Sequence, residues 1–192
     1  PSPSVEALLH SIIPFSWIDH THADAVVTLT NTPKGEKLIQ DVYGDRLLII
    51  PYVMPGFKLA RKVFEITQKV DWQQYEGMIL LNHGIISFGT EAHESYERMI
   101  NAVTLAEKFL KKHSSLPKNN IKKKAPALHQ ETLRKLARIR KKVSNIRGAA
   151  SLARLNNSPE ARVFSGLPNV KKISTRGPIT SDHLIRTKPA PV

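Results

Sequence analysis

The chain has 192 residues, enough for one domain with a full core plus appendages. It contains no cysteine, which excludes disulfides and a thiolate metal site, and it has no apolar run long enough to span a bilayer and no charged-then-apolar leader. Its net charge of +13 is unevenly held, because residues 1–110 carry 9 Lys+Arg against 13 Asp+Glu whereas residues 111–192 carry 20 against 3.

Ser4 can cap a helix starting near Val5, and Val5, Leu8, Leu9 and Ile12 fall at helical spacing. Glu6 and His10 are four apart on that helix and share a face. A carboxylate so early in a helix can also simply face the dipole. Pro14 ends the helix. Asp19-His20-Thr21-His22-Ala23-Asp24 then runs into residues 25–30, whose β-branched content predicts a strand. Residues i and i+2 of a strand share a face about 7 Å apart. His20 and His22 can therefore close on one cation while Thr21 points away. A catalytic zinc site with an open fourth position needs a third protein ligand. The candidate is His83, in Asn82-His83-Gly84 directly after the strand-like residues 77–81. The same pattern also fits solvent-facing or hydrogen-bonded histidines, and spacing names no metal. Asp19 and Asp24 are each either an acceptor for an imidazole N–H or a surface carboxylate, and the surface is favoured for Asp24.

Asn31-Thr32-Pro33-Lys34-Gly35 is a turn, and residues 36–43 read as a short helix. Residues 47–50 form a buried strand, followed by a loop over 51–56 that carries Tyr52, a candidate site residue. A helix is predicted over 57–70 with Leu59, Val63 and Ile66 inward. Residues 77–81 and 85–89 form a hairpin around His83. Thr90 is expected to cap a long helix over 91–112, with Tyr96, Met99, Ile100, Val103, Ala106, Phe109 and Leu110 as its apolar stripe and His93 in solvent.

Residues 114–126, with Lys122-Lys123-Lys124, read as a linker. A basic helix follows over 128–147, and its stripe of Leu133, Leu136, Ile139, Val143 and Ile146 must dock on something. Ser158 starts a short helix to Ser165, and residues 175–192 look irregular. The organisation expected is a metal-binding core over 1–112, a basic helical extension over 113–170 and a tail or linker over 171–192. The basic half could serve nucleic acid, a phosphorylated ligand or an acidic partner, or be a solvated helix face. No aromatic–basic interleaving and no reading motif supports nucleic acid. Strands alternating with helices argue for a layered α/β domain.

Three motifs in order, Pro3-Ser4-Val5-Glu6 with His10, His20-Thr21-His22-Ala23 and Leu80-Leu81-Asn82-His83-Gly84, resemble the class II aldolase/adducin family. Ile49-Ile50-Pro51-Tyr52-Val53-Met54-Pro55-Gly56 and Gly177-Pro178-Ile179-Thr180-Ser181-Asp182-His183-Leu184-Ile185-Arg186 look like the aldolase half of bifunctional rhamnulose-1-phosphate aldolase/short-chain dehydrogenase proteins. The resemblance implies a three-layer α/β/α fold with a central, largely antiparallel sheet. It implies zinc, or another divalent transition metal, held by His20, His22 and His83, with Glu6 as acid/base and Tyr52 protonating the aldehyde oxygen. It implies a cytoplasmic lyase that cleaves a phosphorylated ketose, assembled as a homo-oligomer, usually a tetramer. The family's phosphate-binding loops precede the Pro-Ser-x-Glu motif, at which this chain begins, so it looks N-terminally incomplete. Sugar-phosphate epimerases and dehydratases share the motifs, and adducin-like interaction modules share the fold. His183 and Arg186 could fold over a neighbouring site, although a linker is the favoured reading.

Overall fold

The computed structural model describes Ser4 and residues 6–113, 128–180 and 182–183. The Lys122-Lys123-Lys124 linker and Arg186 lie outside the described residues. Two compact units are present, Pro1–Ser115 with Gly177–Val192, and Leu116–Arg176.

The first unit is built on four strands, β1 (Trp17–Thr21), β2 (Leu47–Ile50), β3 (Gly77–Leu80) and β4 (Gly84–Gly89), in the order β1-β4-β3-β2. β1 and β3 are both antiparallel to β4, and β2 is parallel to β3. The sheet is thus largely antiparallel, yet β1, β2 and β3 share one direction. Their carboxyl ends meet the start of β4 at a single edge, where ligands commonly bind in open α/β sheets.

Among the described residues, the helices of this unit are α1 (Ala7–Ile12), α2 (Asp24–Thr30), α3 (Gly35–Tyr43), α4 (Phe57–Thr67) and α5 (Ala92–His113). Strand alternation sorts them into two layers. Ile50, Met78, Leu80, Ile86 and Phe88 point to one face and pack with Leu9 and Ile13 near α1 and with Leu59 and Val63 of α4. Leu47, Ile79 and Ile85 point to the other and pack with Val26, Leu29, Ile39, Tyr43, Met99 and Ala106 of α2, α3 and α5. β3 and β4 are buried on both faces, which explains their continuous apolar runs. Each such side chain contributes about 1.5–3 kcal/mol on burial.

The strand expected over 25–30 is instead helix α2, so β1 stops at Thr21. β-Branched residues lower helix propensity only slightly, and tertiary packing overrides it here. Val26, Val27, Leu29 and Thr30 are buried, and Asp24 sits in the first turn, where its charge suits the dipole. Thr30 Oγ1 and Thr32 Oγ1 donate to Val27 O at 3.2 Å and Leu29 O at 2.9 Å, occupying carbonyls of the last turn.

The buried stripe of α5 is Ser95, Met99, Ala102 and Ala106, while Tyr96 and Ile100 are exposed. Its face is rotated from the expected one because a polar pin, not an aromatic, meets the sheet. Ser95 Oγ donates to Asp19 Oδ2 at 2.7 Å, and Ser87 Oγ donates to Ser95 O at 2.8 Å. Thr90 does not cap through its own oxygen. Its N–H and hydroxyl donate to Glu94 Oε2 at 2.7 and 3.0 Å.

The second unit holds α6 (Gln130–Arg147), α7 (Pro159–Ser165) and α8 (Val170–Ser174). α7 starts as expected, with Ser158 Oγ accepting from Ala161 N at 3.1 Å. No residue of α6 is buried, and Leu133, Ile139, Val143 and Ile146 are exposed. Its stripe therefore has no cover among the described residues. None of the described helices is long and apolar enough to cross a membrane.

Candidate metal centre

Glu6, His20, His22 and His83 bring one ligand atom each to within 4.8 Å of one another at the shared strand edge. Each arrives for a local reason. His20 pairs with Ile86 in the β1/β4 register, so it faces the α1 side of the sheet. Thr21 points oppositely, its Oγ1 donating to Met99 Sδ of α5 at 3.3 Å. His22 lies one residue past β1. His83 sits in the tight turn between β3 and β4, its N–H donating to Leu80 O at 3.0 Å. That turn is made by Asn82, whose positive φ of 58° is one that asparagine tolerates better than most residues. Asn82 Nδ2 donates to Thr30 O at 3.2 Å and to Asn31 Oδ1 at 2.9 Å. Glu6 occupies the cap position of α1 but caps nothing with its side chain. Its Oε1 lies 3.2 Å from His83 Nε2 and 3.5 Å from His20 Nε2.

The tautomers follow from the outer partners. His20 Nδ1 donates to Ile85 O at 3.0 Å, and His22 Nδ1 donates to Asp182 Oδ2 at 2.7 Å. A carbonyl and a carboxylate only accept, so both Nδ1 atoms carry protons. The two Nε2 atoms, 3.1 Å apart, then present lone pairs to each other. Such a pair repels unless a proton or a metal cation lies between. Zinc–nitrogen bonds of about 2.0–2.1 Å in a tetrahedron place ligand nitrogens roughly 3.4 Å apart, close to this spacing.

Burial, acting more strongly than the Glu6 charge that opposes it, lowers the His20 pKa below the usual histidine range. Burial and then the neighbouring imidazoles push His83 down to about 4. Both rings are neutral near pH 7, as metal ligands must be. Gly84 completes the cradle. A Cβ there would stand 2.4 Å from Thr21 O, 3.0 Å from His22 Cδ2 and 3.2 Å from His20 Cε1. Among the described residues, His83 Nδ1 is buried without a hydrogen-bond partner. Three imidazoles and one carboxylate thus fit a divalent transition metal.

Tyr52 is not drawn into this cluster. It lies two residues beyond β2, at the same sheet edge, and is 55 % exposed. Asp182 escaped sequence reasoning. It is one of only three acids after residue 110, with Glu131 and Glu160, and that scarcity was the available signal.

A layered α/β sheet with a histidine–carboxylate cluster at its carboxyl edge is what the family of this chain's sequence carries into the structure. Residues 1–110 match the Class II Aldolase and Adducin N-terminal domain, and residues 130–192 match Aldolase class II, second domain. The chain belongs to the class II aldolase and adducin family. It is 27% identical over 200 residues to the Uncharacterized oxidoreductase YuxG of Bacillus subtilis (strain 168), covering 100% of this chain and 28% of that relative. The chain thus spans little more than a quarter of that protein. The N-terminal Class II Aldolase domain of a conserved protein from Thermoplasma acidophilum is 39% identical, with a TM-score of 0.51 over 57% of this chain and 49% of that one. A sugar-phosphate aldolase from Thermotoga maritima is 22% identical, with a TM-score of 0.48 over 62% of this chain and 57% of that one.

Proposed function

We propose that the chain is the domain of a zinc-dependent class II aldolase that cleaves a ketose 1-phosphate of the rhamnulose 1-phosphate type. The products are dihydroxyacetone phosphate and an aldehyde. The observation that carries the reading is the convergence of three imidazoles, two with opposed lone pairs, beside the Glu6 carboxylate. His20, His22 and His83 would hold the metal. A zinc ion bound there supplies Lewis-acid stabilisation of negative charge developing on substrate oxygens.

The chain's own groups do the rest. In cleavage, the hydroxyl that becomes the aldehyde loses its proton, the carbon–carbon bond breaks, and the electron pair passes into the former carbonyl. Tyr52, on its exposed loop, accepts the hydroxyl proton as its own phenol proton passes to solvent. Glu6, at the edge of the imidazoles, takes up a proton from solvent and delivers it from Oε1 to the enediolate carbon, so one proton leaves and one enters. Neutral imidazoles leave the site positive once loaded, which favours an anionic sugar phosphate. The rhamnulose subgroup rests on the wording of residues 49–56 and 177–186. Assembly into a homo-oligomer belongs to the same proposal, supported by Tyr52, Met54 and Phe57, which are 55%, 64% and 69% exposed on one loop and helix start. A metal-binding core over 1–112 with a basic helical extension over 113–170 is proposed likewise.

The test is zinc stoichiometry by elemental analysis, then incubation of the zinc-loaded chain with rhamnulose 1-phosphate and enzymatic assay of dihydroxyacetone phosphate. Bound zinc with triose phosphate release is expected. A chain that binds no divalent metal defeats the reading, and bound zinc with only an isomeric or dehydrated sugar phosphate would reassign it within the fold.

A further inference from the structure

The segment after the second unit returns to the first, and it is pinned there at several points. Thr180 is buried, and Asn31 Nδ2 donates to Ile179 O at 3.1 Å. Asn31 Oδ1 meanwhile accepts from Asn82, the residue before His83. Residues 31, 82 and 179 therefore form a chain of contacts along the side of the cluster. From that anchorage Asp182 reaches His22, 160 positions away in sequence, at 2.7 Å.

His22 needs such a partner more than His20 does. His20 is held in a strand, with Ile85 O fixing its ring. His22 lies beyond the strand end, where backbone pairing no longer sets its direction. A free imidazole can present either nitrogen, and a ring that presents Nδ1–H to the cluster cannot ligate there. The acceptor at Nδ1 settles the choice.

We infer that Asp182 is a positioning residue: it holds His22 as the Nδ1–H tautomer and so aims the Nε2 lone pair at His20 Nε2. Outer partners of this kind typically change metal affinity by about 10–100-fold. Asp182 is 53% exposed, so water screens it and the lower end applies. The basic C-terminal half thereby contributes one of its few acids to a centre built otherwise from residues 6–83.

The test compares the full chain with its Asp182→Ala and Asp182→Asn variants. Zinc affinity is read against a chromophoric chelator. The His22 tautomer is read from imidazole nitrogen shifts in the metal-free protein at pH 8, a readout that general structural damage would not mimic. Asp182→Ala should weaken zinc about tenfold and release His22 into a tautomer mixture. Asp182→Asn, which still offers an acceptor oxygen, should keep the tautomer and recover part of the affinity. An unchanged His22 tautomer in Asp182→Ala overturns the inference, as does unchanged affinity. The affinity arm rests on the metal reading above, whereas the tautomer arm does not, so a wild-type chain that binds no zinc would defeat that reading and leave the tautomer arm to decide this one.

Discussion

Gly84→Ala probes how tightly the imidazole cradle is closed. The new Cβ would stand 2.4 Å from Thr21 O, and rotation of a side chain cannot relieve a backbone contact. β1 must therefore shift against β4, carrying His20 and His22 with it. Overpacking a closed interior costs about 1–3 kcal/mol. In a chain of this size each kcal/mol lowers the melting temperature by roughly 2–4 °C. Gly77→Ala is the matched control. Its Cβ would stand 2.3 Å from Ile86 O, an equal clash. It pairs with Ser87, however, three residues along β4 from Gly84 and so about 10 Å from the cradle. Circular-dichroism melts should show both variants destabilised to a similar extent. Zinc titration should separate them, with affinity falling tenfold or more in Gly84→Ala and holding in Gly77→Ala. If Gly84→Ala melts early but binds zinc as the wild type does, the cradle does not shape the centre and the reasoning is refuted.

His20→Ala and His83→Ala should each lose zinc more severely than the roughly 10–100-fold expected for outer partners, as elemental analysis after dialysis would show. Glu6→Gln should keep zinc and the melting temperature while turnover of the sugar phosphate falls about 10²–10⁴-fold. Tyr52→Phe, at an exposed loop position, should leave the fold unchanged and lower the rate of aldehyde release in a coupled assay. The metal-free chain should lose stability in acid. His83 has its folded pKa pushed down to about 4 from 6.5, so the unfolded chain binds the proton first. Its contribution is complete above about pH 6.5 and is lost as pH falls towards 4, up to about 3 kcal/mol. Urea melts across that window should flatten in His83→Gln.

The layered fold was legible because β3 and β4 announce themselves as apolar runs parted by a turn, and because Leu59 and Val63 keep helical spacing. The two-residue step of His20 and His22 was legible as a pattern, but β1 ends at Thr21, so strand alternation sets the direction of His20 and not that of His22. α2 was not legible. Val26, Val27 and Thr28 favour a strand locally, and only burial against the next helix, α3, and against the sequence-distant α5 selects the helix. Tyr96 and Ile100 misled for the same reason, as the α5 face is set by the contact of Ser95 with Asp19. Asp182 lies 160 residues from its partner, and no periodicity encodes such a meeting.

The register of β1 against β4 has a consequence for the chemistry. A one-residue slip would take Ile18 out of the apolar layer it shares with Phe88 and bring Asp19 into it. It would also carry His20 through the sheet and leave Thr21 facing Glu6. Part of what forbids the slip lies on the far side, where Ser95 grips Asp19 and Thr21 meets Met99. A substitution at Ser95, touching none of the four clustered side chains, could therefore disarm the centre by letting one strand count from the wrong residue.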